Sequence, residues 1–321
     1  AYLPLSKKFP ILDIVALADL DMDRAKAVAE EHGVPDACTT EELIARDDVE
    51  IVLNLTTPKA HTPVNLAALE AGKHVYTEKP LAVTREEGKA VLDVAAEKDL
   101  RVGCAPDTIL GAGHQTARKL IDDGVIGRAV ACDAFMMGCG HEHWHPSPEF
   151  YYEVGGGPMM DMGPYYLTAL TMLLGPVERV TGSAKILKTP RTILSEPKKG
   201  KVIDVETPDH LAGTLDFECG AVGTIITSFA VQGHMLPRIE IHGTEGSIQV
   251  PDPNGFAGPV KLMTAENREW REVPLSHPYQ ERNYRSIGLA DMATAIRTGR
   301  AHRCTGTQAY HVLDITHGFV D

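Results

Sequence analysis

The chain reads as an α/β protein in two parts: an open parallel sheet in its first third, then an α+β part with a large, mostly antiparallel sheet. Three observations predict this. Up to Cys104, short aliphatic or β-branched runs alternate with helical patterns, and such alternation implies parallel strands joined by helical crossovers. The strand runs are almost continuously apolar, as expected where helices cover both faces of a sheet. Beyond Asp107, strand-like segments follow one another without helices between them, which implies antiparallel neighbours. At 321 residues the chain exceeds one ordinary core. The expected domains are therefore 1–106 and 107–321.

In the first domain, Ile11 to Asp19 is predicted as a strand and Asp23 to His32 as a helix stopped by Gly33. Val49 to Leu55 follows as a strand, then a helix from about His61 to Ala71 with Gly72 past its end. His74 to Thr77 is a strand, Thr84 to Lys98 a helix and Arg101 to Cys104 a strand. In the second domain, a helix near Gln115 to Asp122 leads into a strand at Val130 to Met137, and another helix follows Asp161. Strands are then expected at Val177–Leu187, Asp209–Phe217, Ala221–Val231, Arg238–His242, Ser247–Val250 and Val260–Thr264, separated by turns such as Gly243-Thr244-Glu245-Gly246. Helices at Glu281–Arg297, before Gly299, and Gln308–Ile315 close the chain.

Apolar residues at 43% and charged residues at 23% mark a soluble globular protein. A net charge of -13 argues against nucleic acid as a partner, since a phosphate backbone demands a basic surface. It also argues against an anionic membrane, and no apolar run approaches the roughly 20 residues of a membrane span. The six cysteines are scattered without a Cys-x-x-Cys pair. Reduced thiols suit the cytoplasm, and no signal peptide is visible at Ala1.

A Rossmann-type sheet binds a dinucleotide where a Gly-rich turn follows its first strand. That strand and turn are absent from this reading, because Ala1 to Phe9 already has the pattern of the helix that should follow them. Gly111-x-Gly113 comes after the last parallel strand and lacks a third glycine, so it is a poor substitute. Asp19 is better placed. At a strand end its carboxylate can accept bonds from ribose hydroxyls and repel a 2′-phosphate, which favours NAD over NADP. The plainer alternative is a cap on the next helix.

Asn54-Leu55-Thr56-Thr57-Pro58, His61, Ala71-Gly72-Lys73-His74-Val75 and Glu78-Lys79-Pro80 form one ordered set, and Gly155-Gly156-Gly157 with Asp161-x-Gly163-x-Tyr165 forms a second. Together they resemble the glucose–fructose oxidoreductase/inositol dehydrogenase (Gfo/Idh/MocA) family, over the whole chain. The resemblance implies a Rossmann domain, a second domain with a large, mostly antiparallel sheet, NAD(P), and homodimers or homotetramers packed through that sheet. It also implies that Thr56, Thr57, Pro58, His61, Glu78 and Pro80 lie along the dinucleotide.

Oxidising an alcohol removes a hydride from carbon and a proton from oxygen, so the protein must hold the carbon and manage the proton. Lys79 is the leading candidate to touch the reacting oxygen. Pro80 biases its backbone away from helix, and the resemblance implies a cis Lys-Pro bond. A free lysine titrates near ~10.4, and burial beside a cationic nicotinamide would lower that value. The bland alternative is a solvated loop lysine. Asp161 and Tyr165, four apart at a helix start, can share a face. Tyr165 stands where most of the family carries histidine, and the resemblance implies an acid/base role for it. Asp161 is expected to orient Lys79 or a substrate hydroxyl, the alternative being a helix cap.

His141-Glu142-His143-Trp144-His145 has two readings. On a strand its three imidazoles would share a face and could bind zinc. No fourth ligand is spaced nearby and the segment opens a Pro-rich loop, so no metal is expected; the resemblance implies a substrate-facing loop in which Trp144 and His145 stack on and bond a sugar. Asp107, just past the last parallel strand, is a further candidate substrate contact near the crevice. With the resemblance, these residues imply hydride transfer between nicotinamide and an alcohol carbon of a sugar, cyclitol or related polyol. An NAD-dependent glycosidase working by transient oxidation, or a non-catalytic sugar-binding protein, stays open as an alternative.

Overall fold

In the computed structural model, which describes residues 2–321, strands and helices alternate up to Cys104. After α1 (Tyr2–Ser6) come β1 (Ala16–Ala18), α2 (Met22–His32), β2 (Asp36–Cys38), α3 (Thr40–Ala45) and β3 (Ile51–Asn54). Then follow α4 (Pro58–Glu70), β4 (His74–Thr77), α5 (Arg85–Glu97) and β5 (Val102–Cys104). Local chemistry sets the helix limits. Asp21 caps α2 by accepting from the Asp23 and Arg24 N–H groups, and left-handed Gly33 ends it. Capping boxes start α3 (Thr39 with Glu42) and α5 (Thr84 with Glu87). Pro58 starts α4 ahead of the expected His61, because its fixed φ and missing N–H suit a first helical turn.

The strand expected over 11–19 is paired only at Ala16–Ala18, because its neighbour β2 offers only Asp36–Cys38. β2 and α3 were not anticipated; neither carries a sustained apolar pattern. β1 and β2 pair in parallel, and β3, β4 and β5 form a separate parallel sheet. Val52, Leu69, Val75, Leu81, Val91 and Val102 are buried around that second sheet, each worth about 1.5–3 kcal/mol of transfer free energy. A cavity of about 970 Å³ is lined by Ala16 and Ala18 of β1, Ile51 and Leu53 of β3, and Val28 and Val64 of the helices.

The later chain holds α6 (Ala112–Asp122), β6 (Ala129–Met137), α7 (Gly157–Asp161), α8 (Gly163–Leu174) and β7 (Val177–Lys185). β8 (Arg191–Thr192) and β9 (Val202–Ile203) form a small hairpin-like pair. β10 (His210–Phe217), β11 (Val222–Ser228), β12 (Ile239–Gly243), β13 (Gly246–Val250), β14 (Val260–Thr264) and β15 (Arg271–Val273) follow. The large sheet has the order β15-β14-β13-β12-β6-β11-β10-β7. β6 and β11 pair in parallel and the other neighbours pair antiparallel. Helix α8 is buried along nearly all its length, including Tyr165, Leu167, Leu170 and Leu173. Gly111 and Gly113 serve packing in this part of the chain: a Cβ on either would overlap the Phe256 or Ala257 carbonyl.

Helices α9 (Ile287–Thr298) and α10 (Gly306–Gly318) complete the chain. The helix expected from Glu281 starts only after Ser286, whose φ of 95° is incompatible with helix. Two compact units result: the chain up to Asp107 with Asn283–Tyr310, and Thr108–Arg282 with His311–Asp321. The expected second domain of 107–321 is thus corrected, since residues 283–310 pack with the first unit. Leu289 and Met292 of α9 explain this by burying their side chains with Tyr76 and Ala105. Among the described residues no helix is long and apolar enough to cross a membrane.

Candidate active site

In the first unit the motif residues collect at the carboxyl ends of β3 and β4. Buried Asn54 organises them. Its Nδ2 donates to the His61 carbonyl (3.1 Å) and Asn65 Oδ1 (2.7 Å), and its Oδ1 accepts from the Thr56 N–H (3.1 Å) and Oγ1 (2.7 Å). The His61 ring lies between two carbonyls, Nδ1 at 2.7 Å from Pro80 O and Nε2 at 3.0 Å from Thr56 O. It therefore latches the Thr56 turn to the Lys79–Pro80 segment, and both of its nitrogens face protein. Glu78 accepts from the Tyr2 hydroxyl (2.6 Å) and from the Lys79 N–H (3.0 Å). The Lys79–Pro80 bond is cis, and Lys79 is half-buried.

Asp19 follows β1 directly. It accepts from the Asp21 N–H at 2.9 Å and from Arg24 Nε at 2.8 Å, with a second bond to Arg24 Nη2. The Arg24 guanidinium and the Asp21 N–H hold the Asp19 carboxyl below its ordinary range, so it is ionised at neutral pH. The helix cap considered for Asp19 belongs to Asp21 instead. Asp19, Thr56 and Thr57 all line the 970 Å³ cavity, and Thr57 leaves the α4 N-terminus without a side-chain cap. A carboxylate for ribose hydroxyls, threonine hydroxyls and an unsealed helix start fit a dinucleotide.

Asp107 has another task. It is 1% exposed and accepts from the Ser286 and Gly288 N–H groups, both at 3.1 Å. It anchors the start of α9 through Oδ2, which takes both bonds.

In the second unit the decisive feature is the loop after β6. Arg191 is completely buried; its Nη1 donates to Glu142 Oε1 (2.8 Å), and its Nη2 to Asp209 Oδ2 (2.7 Å) and the Phe229 carbonyl (2.8 Å). Lys188 adds a bond to Glu142 at 3.0 Å, and the Tyr152 hydroxyl donates to the same carboxylate. Burial pushes the Glu142 carboxyl up, but bonds from Tyr152, its own backbone and Lys188, with the Arg191 charge, outweigh burial and leave it at about 2. Tyr152 Oη in turn accepts from the His141 N–H at 3.0 Å. Gly140, at φ 97°, allows this closure; a Cβ there would overlap Glu142, Tyr152 and Arg191.

The strand geometry considered for His141 to His145 does not form. The segment is a turn, with the Trp144 and His145 N–H groups donating to the His141 carbonyl at 3.2 and 3.0 Å. The imidazoles therefore lose their common strand face. Among the described residues no group of three or more His, Cys, Asp or Glu is placed to hold a metal ion. His145 packs edge-on to Phe150 and Tyr151, and Trp144 is 57% exposed.

Asp161 is the last residue of α7, and Met162 separates it from α8, which carries Tyr165 in its first turn. The expected single helix with a shared face is thus two helices, and the N-cap of α8 is Met162 rather than Asp161. Asp161 Oδ2 lies 3.3 Å from His141 Nε2. Sequence reasoning missed this pairing, and missed Arg191 and Asp209; their separation along the chain leaves no local signal.

Comparison with known proteins agrees with this architecture. Residues 1–105 match the model of an oxidoreductase family with an NAD-binding Rossmann fold, and residues 114–249 match a GFO/IDH/MocA C-terminal domain. The chain is 30% identical over 271 residues to 1,5-anhydro-D-fructose reductase of Ensifer adhaerens, covering 82% of this chain and 75% of that protein. It is 29% identical over 299 residues to levoglucosan dehydrogenase of Pseudarthrobacter phenanthrenivorans, covering 85% and 74%. Among solved structures, an NAD binding oxidoreductase from Klebsiella pneumoniae superposes with a TM-score of 0.85 at 21% identity, over 99% of this chain and 90% of that one. A levoglucosan dehydrogenase in complex with NADH and levoglucosan gives 0.81 at 24% identity, over 95% and 87%. With both family models matched in order along a chain of this architecture, the protein belongs to the Gfo/Idh/MocA family of oxidoreductases.

Proposed function

We propose that the protein catalyses reversible hydride transfer between NAD and an alcohol carbon of a sugar, cyclitol or related polyol. The observation that carries this reading is the anchored Glu78–Lys79–Pro80 turn, where Tyr2 and His61 hold the segment bearing a half-buried amine. Relatives named as reductases and dehydrogenases of sugars and inositol support the substrate class.

When bound, the nicotinamide supplies the hydride chemistry. Lys79 holds the reacting hydroxyl and, with Tyr165, passes its proton. Asp161 orients the substrate, and Trp144 and His145 contact its ring. Thr56, Thr57, Pro58, Glu78 and Pro80 hold the dinucleotide, with His61 shaping the Thr56 turn from behind. The ionised Asp19 favours a free ribose over a 2′-phosphate, hence NAD over NADP. A homodimer or homotetramer in the cytoplasm completes the reading, and light scattering checks the oligomer.

The test is a panel of sugars, anhydrosugars, inositols and sugar acids, scored by the absorbance of reduced nicotinamide. NADH should accumulate with at least one class, and Lys79→Met should lower kcat at least about 100-fold. A Lys79→Met enzyme at the parental rate would remove the mechanism. Glycoside cleavage without net NADH would identify a glycosidase instead.

A further inference from the structure

Asp161 does not stand by itself. His141 Nε2 is 3.3 Å from Asp161 Oδ2, and their side chains are only 14% and 16% exposed. The other ring nitrogen, Nδ1, is buried without a hydrogen-bond partner. A ring with a carboxylate 3.3 Å from one nitrogen and no partner at the other can turn an Nε2–H toward that carboxylate. The ring is also fixed in direction. Its centroid lies 3.9 Å from that of Tyr151, 4.6 Å from Phe229 and 5.4 Å from Trp144. The His141 N–H is tied to Tyr152, which is tied to Glu142 and through it to Arg191. A buried charge network thus ends on the backbone of one histidine.

We propose that His141 is a positioning residue for Asp161. Its Nε2–H holds the carboxylate in one orientation, and the Arg191–Glu142–Tyr152 network holds His141. This rests on the reading of Asp161 as a substrate-orienting group.

The first arm of the test is kinetic. His141→Phe keeps the ring packing and removes the donor, whereas His141→Gln offers an amide N–H toward the same oxygen. The Phe variant should lose about 10- to 100-fold in kcat with KM moving less than about threefold, and the Gln variant should keep at least about a third of the parental kcat. Equal losses in both variants, or a Phe variant at the parental rate, would overturn the assignment.

The second arm needs no turnover. Nitrogen-15 NMR of the histidine-labelled full chain, with His141 identified by its absence from the Phe variant, should show an Nε2–H ring. In Asp161→Ala that preference should give way to a mixture of tautomers. A wild-type ring without Nε2–H, or a tautomer unchanged in Asp161→Ala, would refute the pairing. If no alcohol on the panel reduces NAD, the hydride-transfer reading falls while the spectra still judge His141 and Asp161.

Discussion

Two buried carboxylates, one in each unit, behave in opposite ways. In the first unit, burial pushes the Asp107 carboxyl up to about 6, although the Gly288 and Ser286 N–H groups and the Arg285 charge oppose it. In the second, Glu142 is equally enclosed by surface area yet stands at about 2, because Tyr152, Lys188 and the buried Arg191 surround it. Both groups lose water. At Glu142 the Tyr152 hydroxyl and a backbone bond, then Lys188 and the Arg191 charge, outweigh burial, whereas at Asp107 two backbone N–H bonds and the Arg285 charge do not. Asp107 steadies a helix start through two backbone N–H groups, while Glu142 locks a loop through bonds from Lys188 and the buried Arg191 that are charged at both ends.

The largest expected effect comes from breaking the charged network. Arg191→Met leaves Glu142 and Asp209 buried without their shared cation and should cost about 3–5 kcal/mol, measured by chemical denaturation. Unchanged stability would mean that the ion network does not hold the loop.

The pH dependence should separate the two carboxylates next. Asp107 is protonated in both folded and unfolded chains below about pH 4. As pH rises toward 6 the unfolded carboxyl ionises first, so stability falls through this window by about 2–3 kcal/mol and then levels. Asp107→Asn should flatten that fall. The Glu142 contribution has the other sign: it is complete above about pH 4.5 and is lost as pH drops toward 2. Unfolding midpoints from pH 2 to 8 in wild type and Asp107→Asn would show both slopes.

A smaller loss, about 2 kcal/mol, is expected for Gly140→Ala, which forces a Cβ against Glu142, Tyr152 and Arg191 at a positive φ. Near-parental stability would show that the loop can shift without releasing the network. The smallest effect on stability belongs to Trp144→Ala, within about 0.5 kcal/mol because the indole is exposed. Its KM for the substrate should nevertheless rise. An unchanged KM would remove Trp144 from the substrate contacts.

Much of the first unit was legible because its information is local. Strand β4 was read residue for residue, and the Thr84 cap, Gly33 and Gly72 mark ends that short-range chemistry enforces. Strand β2 and helix α3 were not, since three paired residues leave no apolar period; only the Thr39–Glu42 box announced α3. The same limit explains the helix predicted over Asp161 and Tyr165. Their spacing is helical, but the break at Met162 leaves each residue on its own helix.

The candidate site divides along similar lines. Thr56, Glu78 and Lys79 sit in contiguous motifs, and Asn54 and His61 tie them together over short or moderate separations. The loop of the second unit draws on residues 139–152, 188, 191, 209 and 229, which meet only when Arg191 of β8, Asp209 just before β10 and Phe229 just after β11 gather around the loop after β6.

Read alone, the residues determined the fold class, the antiparallel character of the second sheet and the family motifs, because apolar periodicity and turn chemistry act between near neighbours. Tertiary structure alone decided that His141 comes within 3.3 Å of Asp161, that Asp107 turns inward to α9, and that Glu142 is an anion in the interior. Each depends on which groups replace water around a side chain, and those groups arrive from distant parts of the chain.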